Sequence, residues 1–216
     1  MNCYRYLEEE YVNSFLEEGK LRLSSLEKFK KYKDKERGDK TEGRSMVVDY
    51  SKGTISFSQA KANAYILCGS SELNPSIAEA LQRNSCLEIK SIHDFASRIG
   101  MKIGALAYAF SKCFYENKER FLLEEENSLP IGRQGNRRSF RLHFLRKNFE
   151  GQPNISEIQY LEEFFIKSKN YSHQKELRII WLLDNKDQVE ESYDVVCPEA
   201  AYYCRKINIP YNNTEV

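Results

Sequence analysis

The feature that most constrains the fold is an apolar stretch near the C-terminus that begins with polar side chains. Residues 176–183 read Glu-Leu-Arg-Ile-Ile-Trp-Leu-Leu, which is the composition of a buried strand. Side chains alternate along a strand, so Glu176 and Arg178 should lie on one face and Leu177 and Ile179 on the other. A carboxylate and a guanidinium at the mouth of such a strand pair with each other, reach water or face a ligand. The stretch therefore predicts either a surface ion pair or part of a functional site.

The composition is that of one globular domain. The chain has 216 residues, 41% hydrophobic and 30% charged, and no Pro- or Gly-rich linker divides it. Its 33 basic and 32 acidic residues give a net charge that argues neither for nor against binding to nucleic acid. The six cysteines form no CxxC pair and are predicted to be reduced core thiols. Without a signal region or a bilayer-length apolar run, we expect a cytoplasmic protein that does not enter a membrane.

The order of patterns along the chain predicts a single α+β domain over residues 1–216. Period-two alternation in residues 3–7 precedes helical spacing in residues 8–18, and Gly19 stands where a helix C-cap is expected. Period two returns in residues 21–25. Further strands are predicted at residues 54–58, 64–70, 85–90, 105–110 and 193–197, with short helices at residues 75–81 and 92–100. The alanines in residues 105–110 also allow a helix there. We expect a mostly antiparallel, curved or split sheet with short helices.

A charged segment at residues 27–53 is predicted to be an exposed loop. Within it, two glycines flank Asp39 and Glu42, a spacing that can place both carboxylates on one side of a tight turn. Such a pair would suit a divalent cation or a ligand hydroxyl. The same pattern is typical of a solvated turn, and the residues do not decide between the two.

A second segment, residues 124–155, is predicted to be a basic, irregular insertion. Residues 131–149 contain six basic side chains and no acidic one. Because arginine forks match phosphate oxygens and aromatic rings stack on bases, residues 133–147 are a candidate surface for nucleic acid. The equally simple alternative is that they neutralise the acidic run at residues 124–126. The candidate nucleic-acid contacts are Arg133, Arg137, Arg138 and Arg141.

The motif inventory excludes several enzyme classes and leaves one alternative. The chain has no GxSxG, GxxxxGK[ST] or GxGxxG motif, so α/β-hydrolase, P-loop and dinucleotide-fold interpretations have no support. Its three histidines lack metal-ligand spacing, and no metal site is expected. Glu88 and Lys90 do form an ExK pattern of the kind metal-dependent nucleases place on a strand. A nuclease using Asp39, Glu42 or Glu88 is therefore an alternative hypothesis.

Several segments together resemble an uncharacterised family of bacterial cytoplasmic proteins, over nearly the whole chain. Their order is also similar to that of the ADP-ribosyltransferase fold, in which a late strand carries a glutamate and the first two strands hold NAD. The segments are residues 4–6, Gly19, residues 21–25, 37–43, 65–68 and 165–167, with Tyr171, Gln174, Glu176 and Arg178.

The resemblance implies an ADP-ribosyltransferase-like protein that binds NAD or a related nucleotide as a substrate. It implies a bacterial toxin or defence effector that transfers ADP-ribose or cleaves NAD. Arg5 and Tyr6 would then face the phosphates or the nicotinamide, and Ser24 or Ser25 would lie beneath the ribose. Glu176 would be the catalytic carboxylate, with Gln174 where relatives often have a first glutamate and Arg178 beside it. Arg37, Asp39 and Glu42 complete the candidate nucleotide contacts. The non-enzymatic alternative is a module that senses nucleic acid or a nucleotide.

This hypothesis makes a geometric prediction. The first strand and the strand that bears Glu176 should run side by side, and Arg5, Tyr6, Ser24 and Glu176 should line one hollow.

Overall fold

The computed structural model describes residues 1–25, 28, 44–49, 54–59, 63–116, 119–122, 142–145, 161–184 and 189–209. These residues form a mixed α+β structure with a curled antiparallel sheet and a few short helices. The α+β class and the mainly antiparallel sheet are as predicted.

Strands provide most of the regular structure. They are β1 (Cys3–Leu7), β2 (Lys20–Ser24), β3 (Arg44–Asp49), β4 (Thr54–Gln59), β5 (Ala64–Ser70), β6 (Ser85–Ile89), β7 (Ala107–Lys112), β8 (Phe114–Glu116), β9 (Glu119–Leu122), β10 (Leu142–Phe144), β11 (Ile166–Ser168), β12 (Glu176–Leu182), β13 (Ser192–Val196) and β14 (Cys204–Asn208). The helices are α1 (Glu9–Glu18), α2 (Pro75–Ala80), α3 (Ile92–Lys102) and α4 (Pro198–Ala201), with 3₁₀ helices η1 (Leu161–Phe165) and η2 (Lys169–Gln174).

Among the described residues, the main sheet has nine strands, and all of its pairs are antiparallel. Its strand order is β10-β7-β12-β5-β1-β6-β14, and β2 joins at β5 and carries β13. β4-β3-β9 and β11-β8 form two smaller sheets that are not part of its ladder. The first strand and the strand that bears Glu176 were predicted to run side by side. This prediction is wrong, because β5 lies between β1 and β12.

Strand β12 is the centre of the core, as its apolar sequence predicts. Leu177, Ile179 and Trp181 join one hydrophobic cluster, while Ile180 and Leu182 join a second cluster on the opposite face. Each such side chain contributes roughly 1.5–3 kcal/mol when fully removed from water. Burial on both faces explains why this stretch lacks the polar alternation of a half-exposed strand.

Helix α1 ends where the sequence predicts. Gly19 has φ of 73° and its N–H donates to the carbonyl of Phe15, 2.8 Å away. A Cβ at this position would lie 2.3 Å from the backbone nitrogen of Pro198. Only glycine both adopts the left-handed conformation without strain and leaves room for the backbone of Pro198.

Both predicted irregular segments contain a strand. Residues 44–49 form β3, so the prediction of a loop over residues 27–53 is wrong for these six residues. Within the expected insertion at residues 124–155, residues 142–144 form β10 and pair with β7. The apolar stretches that form these strands are short and lie beside long charged runs, so the sequence pattern did not reveal them.

The structure also tests the predictions about the cysteines and about membrane-spanning segments. All six cysteines are free, and four of them, Cys3, Cys86, Cys113 and Cys197, are buried, which agrees with reduced core thiols. Within the described ranges, no helix is long and apolar enough to cross a membrane.

The sheet forks beside β5, and this fork positions the site. On one edge of β5, β1 pairs only at Tyr4–Ser70, and β2 pairs only at Ser24–Ile66. The two strands diverge from β5 because each pairs with another strand: β1 pairs with β6 over five residues, and β2 pairs with β13 over five residues. The edge of β5 between these two contacts, residues 67–69, is therefore left open.

Candidate functional site

A cavity of about 240 Å³ lies at the fork. It collects residues from β1, β2, β5 and β12, from the α2 region and from the β11–η2 segment. The described residues that line it are Arg5, Tyr6, Leu7, Ser24, Ile66, Leu67, Cys68, Gly69, Ser70, Ile77, Leu81, Arg83, Lys167, Gln174, Glu176 and Arg178. Six predicted site residues from three segments of the sequence thus line one cavity: Arg5, Tyr6, Ser24, Gln174, Glu176 and Arg178.

Glu176 is held by two cations in the wall of the cavity. Arg178 Nε lies 2.5 Å from Glu176 Oε1, and Lys167 Nζ donates to Glu176 Oε2. All three side chains are buried, with 7% or less of each exposed. Of the arrangements that the sequence left open, Glu176 and Arg178 therefore adopt an ion pair, but a buried one at a cavity and not at the surface.

The two cations keep Glu176 ionised. Burial by itself would raise the pKa of this carboxyl, but the charges and hydrogen bonds of Arg178 and Lys167 lower it to about 2. Glu176 is therefore a permanent anion at neutral pH. It can orient basic groups or stabilise positive charge, but it cannot act as a proton donor there.

The segment of β11 and η2 supplies the groups that fix Lys167. Its ammonium donates to Gln174 Oε1 at 2.8 Å and lies 4.7 Å from the ring centre of Tyr171. Gln174, a predicted catalytic residue, therefore holds Lys167 in this structure. Lys175, next to it, has a left-handed backbone with φ of 47°, which turns the chain from η2 into β12.

Backbone contacts complete the frame of Glu176. Its N–H donates to the hydroxyl of Tyr115 at 2.6 Å. Arg178 Nη1 donates to the carbonyl of Phe164 at 2.6 Å. These bonds anchor the charged cluster to β8 and η1, whose Phe164 and Phe165 are fully buried.

Arg5 spans the mouth of the fork. Its Nη2 donates to the carbonyl of Arg22 on β2, 3.2 Å away. The Arg22 side chain itself is exposed and makes a two-point contact with Asp194, at 2.6 and 2.7 Å. Arg5 thus links the two strands that diverge from β5 while it lines the cavity between them.

Tyr6 has a structural contact in addition to its place in the cavity. Its hydroxyl accepts from the N–H of Asn74 at 2.7 Å and donates to the carbonyl of Glu72 at 3.1 Å. Burial raises the pKa of Tyr6 to about 12, so it stays a neutral hydroxyl. We conclude that the ring faces the cavity and the hydroxyl holds the segment that leads into α2.

The structure separates the two serines that the sequence left as alternatives. Ser24 lines the cavity, whereas Ser25 is not among the described residues that do. The N–H and the hydroxyl of Ser25 instead donate to the carbonyl of Glu191, at 2.9 and 3.3 Å.

Two groups of predicted contacts lie outside the described residues. They are the nucleotide contacts Arg37, Asp39 and Glu42, and the nucleic-acid contacts Arg133, Arg137, Arg138 and Arg141.

Glu88 of the ExK pattern makes structural contacts. It is buried on β6, where Asn2 Nδ2 donates to one oxygen at 2.8 Å and Arg205 Nε donates to the other. It does not line the cavity. In the described part of the chain, no three His, Cys, Asp or Glu side chains cluster closely enough to hold a metal ion.

The lining residues that were not singled out as site residues from the sequence include Lys167, Arg83 and Cys68. Lys167 follows the buried Phe164 and Phe165, and a lysine next to such an apolar run could have been suspected of having a buried partner. Arg83 pairs with Glu8 at the end of β1, a contact across 75 residues with no local signal. Cys68 lines the cavity because it lies on β5 between the residues that pair with β1 and β2, and the sequence does not show this pairing.

A comparison of the chain with family models, with curated proteins and with solved structures finds no match. The ADP-ribosyltransferase-like fold and the family resemblance therefore stay predictions.

Proposed function

We propose that the chain binds an anionic nucleotide, of which NAD is the preferred example, in the cavity at the fork. One observation carries this proposal. Among the described lining residues four side chains, Arg5, Arg83, Lys167 and Arg178, are basic and one, Glu176, is acidic. Even with Glu8, which pairs with Arg83, basic groups outnumber carboxylates. A concave, partly buried surface with this excess of cations favours phosphate groups, especially where arginines are present.

The distribution of polarity also fits a nucleotide. Leu7, Ile77 and Leu81 give the cavity an apolar part, to which a planar ring could bind. The charged cluster around Glu176 gives it a polar part. A volume of about 240 Å³ is below the roughly 300–1,000 Å³ usual for drug-sized ligands, so the cavity would enclose one half of a dinucleotide.

We propose further that Glu176 supports cleavage of NAD or transfer of its ADP-ribose, in a bacterial effector. The bond between nicotinamide and ribose C1′ breaks with its electrons going to the nicotinamide nitrogen, and neutral nicotinamide leaves. The oxygen of water, or a nucleophile of an acceptor, then bonds to C1′ and loses a proton to solvent. A fixed carboxylate would stabilise the positive charge on the sugar between these events. Since both oxygens of Glu176 already accept from cations, each would use its second lone pair.

Binding is tested by calorimetric titration of the chain with NAD. Arg5→Ala should weaken binding about tenfold or more, as expected for loss of a charge-assisted hydrogen bond. Arg98→Ala is the matched control, because Arg98 is exposed on α3 and does not line the cavity. Equal NAD affinity in the two variants, or no binding by the unaltered chain, would reject the proposal.

The reaction is tested separately by chromatographic detection of nicotinamide released from NAD. Glu176→Gln should abolish release while a folded fraction of the variant still binds NAD. Release that persists in this variant would remove Glu176 from the chemistry without affecting the binding proposal.

The alternatives depend largely on residues outside the described ranges, namely Asp39 and Glu42 for the nuclease and residues 133–141 for the nucleic-acid surface. Glu88, the described candidate of a nuclease site, is bound by Arg205 and Asn2.

A further inference from the structure

The peptide groups of β5 alternate between its two neighbouring edges. On the β12 side, the N–H of Ser71 donates to the carbonyl of Lys175, and the N–H of Leu183 donates to the carbonyl of Asn63, both at 2.8 Å. In an antiparallel ladder every second residue of a strand directs both its N–H and its C=O to the same neighbour. Odd-numbered residues of β5 therefore face β12, and even-numbered residues face the edge where β1 and β2 diverge.

One of these even-numbered residues falls in the gap of the fork. Ser70 pairs with Tyr4 of β1, and Ile66 pairs with Ser24 of β2. Cys68 lies between them and has no pairing partner among the described residues of β1 or β2. Its N–H and C=O therefore point into the fork, and the residue lines the cavity.

Arg5 accounts for the open position. If β2 continued along β5 in the register set by Ser24 and Ile66, Arg22 would lie opposite Cys68. The carbonyl of Arg22 instead accepts from Arg5 Nη2. The guanidinium of Arg5 thus occupies the carbonyl of Arg22, which would lie opposite Cys68 if β2 continued to pair with β5.

We propose that the peptide N–H and C=O of Cys68 bind a planar ring edge that presents an acceptor beside a donor. Lactams, carboxamides and nucleobases carry such an edge. This inference rests on the proposed function and deepens it, because it assigns the ring end of the nucleotide to the β5 edge. The basic side chains are left for the phosphates.

The dimensions of the gap favour this occupant over a peptide strand. The unpaired edge offers the groups of a single residue, whereas adding a strand uses a row of peptide groups. A fully ionised phosphate has acceptors only, so it cannot satisfy the carbonyl of Cys68. A planar ring with both groups satisfies both, and the adjoining side chains of Ile66 and Leu67 are apolar.

The test uses the small number of cysteines in the chain. Labelling with ¹⁵N-cysteine gives one backbone amide signal for each of Cys3, Cys68, Cys86, Cys113, Cys197 and Cys204, and Cys68→Ser identifies the signal of interest. The labelled chain is titrated with δ-valerolactam, with its N-methyl derivative and with NAD. The N-methyl compound is the matched control, because it keeps the acceptor and the ring but lacks the donor.

We expect the Cys68 amide signal to move downfield with δ-valerolactam and with NAD. The signal of Cys197, which does not line the cavity and whose N–H donates to the carbonyl of Gly19 at 2.9 Å, should not move. Methylation of the lactam nitrogen should weaken binding about tenfold, the effect of losing one buried hydrogen bond.

Two results would overturn the inference, and they separate it from the proposed function. If NAD binds in an Arg5-dependent manner but leaves the Cys68 signal in place, the ring site is wrong and the nucleotide site stands. If NAD does not bind at all, both fail.

Discussion

The guanidinium of Arg5 on β1 donates to the carbonyl of Arg22 on β2, and this contact spans the fork in which the cavity lies. Within the described ranges the two strands share no ladder of their own, and each pairs with β5 at a single residue. One side chain thus both links the strands and lines the space between them.

Replacing Arg5 should cost stability as well as affinity. We expect Arg5→Ala to lower the free energy of unfolding by about 0.5–1.5 kcal/mol, the usual contribution of one hydrogen bond. Urea denaturation followed by circular dichroism measures the change. Arg98→Ala, which removes an exposed arginine, should stay within about 0.5 kcal/mol of the unaltered chain. Equal losses in the two variants would mean that the contact across the fork contributes nothing to stability.

Neutralising Glu176 should have a much larger effect. Glu176→Gln leaves Lys167 and Arg178 buried beside a neutral amide, and removing one partner of a buried ion pair typically costs about 3–5 kcal/mol. Thermal and urea unfolding of the variant measure the loss. Glu10→Gln is the control, since Glu10 is exposed on α1, and its unfolding should not change by more than about 0.5 kcal/mol. A variant as stable as the control would contradict the buried cluster.

The parts of the site that the sequence predicted are those set by local alternation. The period of two placed Glu176 and Arg178 on one face of a strand, and the same rule placed Arg5 and Ser24 in strands. What the sequence did not predict depends on pairing between distant segments. No local signal shows that β5 separates β1 from β12, or that Lys167 reaches Glu176 from a separate small sheet.

The charged cluster also predicts how stability responds to acid. The pKa of Glu176 is about 2 in the folded chain, below the value of 4.5 for an unperturbed glutamate. A carboxyl with a lowered folded pKa stabilises the native state above its unfolded pKa, and this contribution is lost as pH falls through the folded pKa. The free energy of unfolding should therefore decline between pH 4.5 and pH 2.

Urea midpoints measured across that pH range in the unaltered chain and in Glu176→Gln isolate this contribution. The difference between the two proteins should shrink as the pH falls. A difference that stays constant down to pH 2 would show that Glu176 does not titrate in this window.

Gly69 should be intolerant of a side chain because of its contact with β1. A Cβ there would lie 2.5 Å from Cys3 Sγ and 3.0 Å from the carbonyl oxygen of Tyr4. We expect Gly69→Ala to destabilise the fold by about 1–3 kcal/mol, the cost of overpacking a core. Adding Cys3→Ala removes the sulfur atom and should restore part of the loss beyond the effect of Cys3→Ala alone, as a double-mutant cycle in urea would show. Strict additivity would mean that the two positions do not collide.

The account depends most on the claim that the cavity recognises the charge of a nucleotide. Calorimetric titrations with ADP and with adenosine at low and moderate salt test this directly, because the two ligands share a base and a ribose and differ in their phosphates. The account predicts that ADP binds, that its affinity falls as salt rises, and that adenosine binds at least about tenfold more weakly. Equal binding of the two ligands, or ADP binding that does not respond to salt, would contradict it.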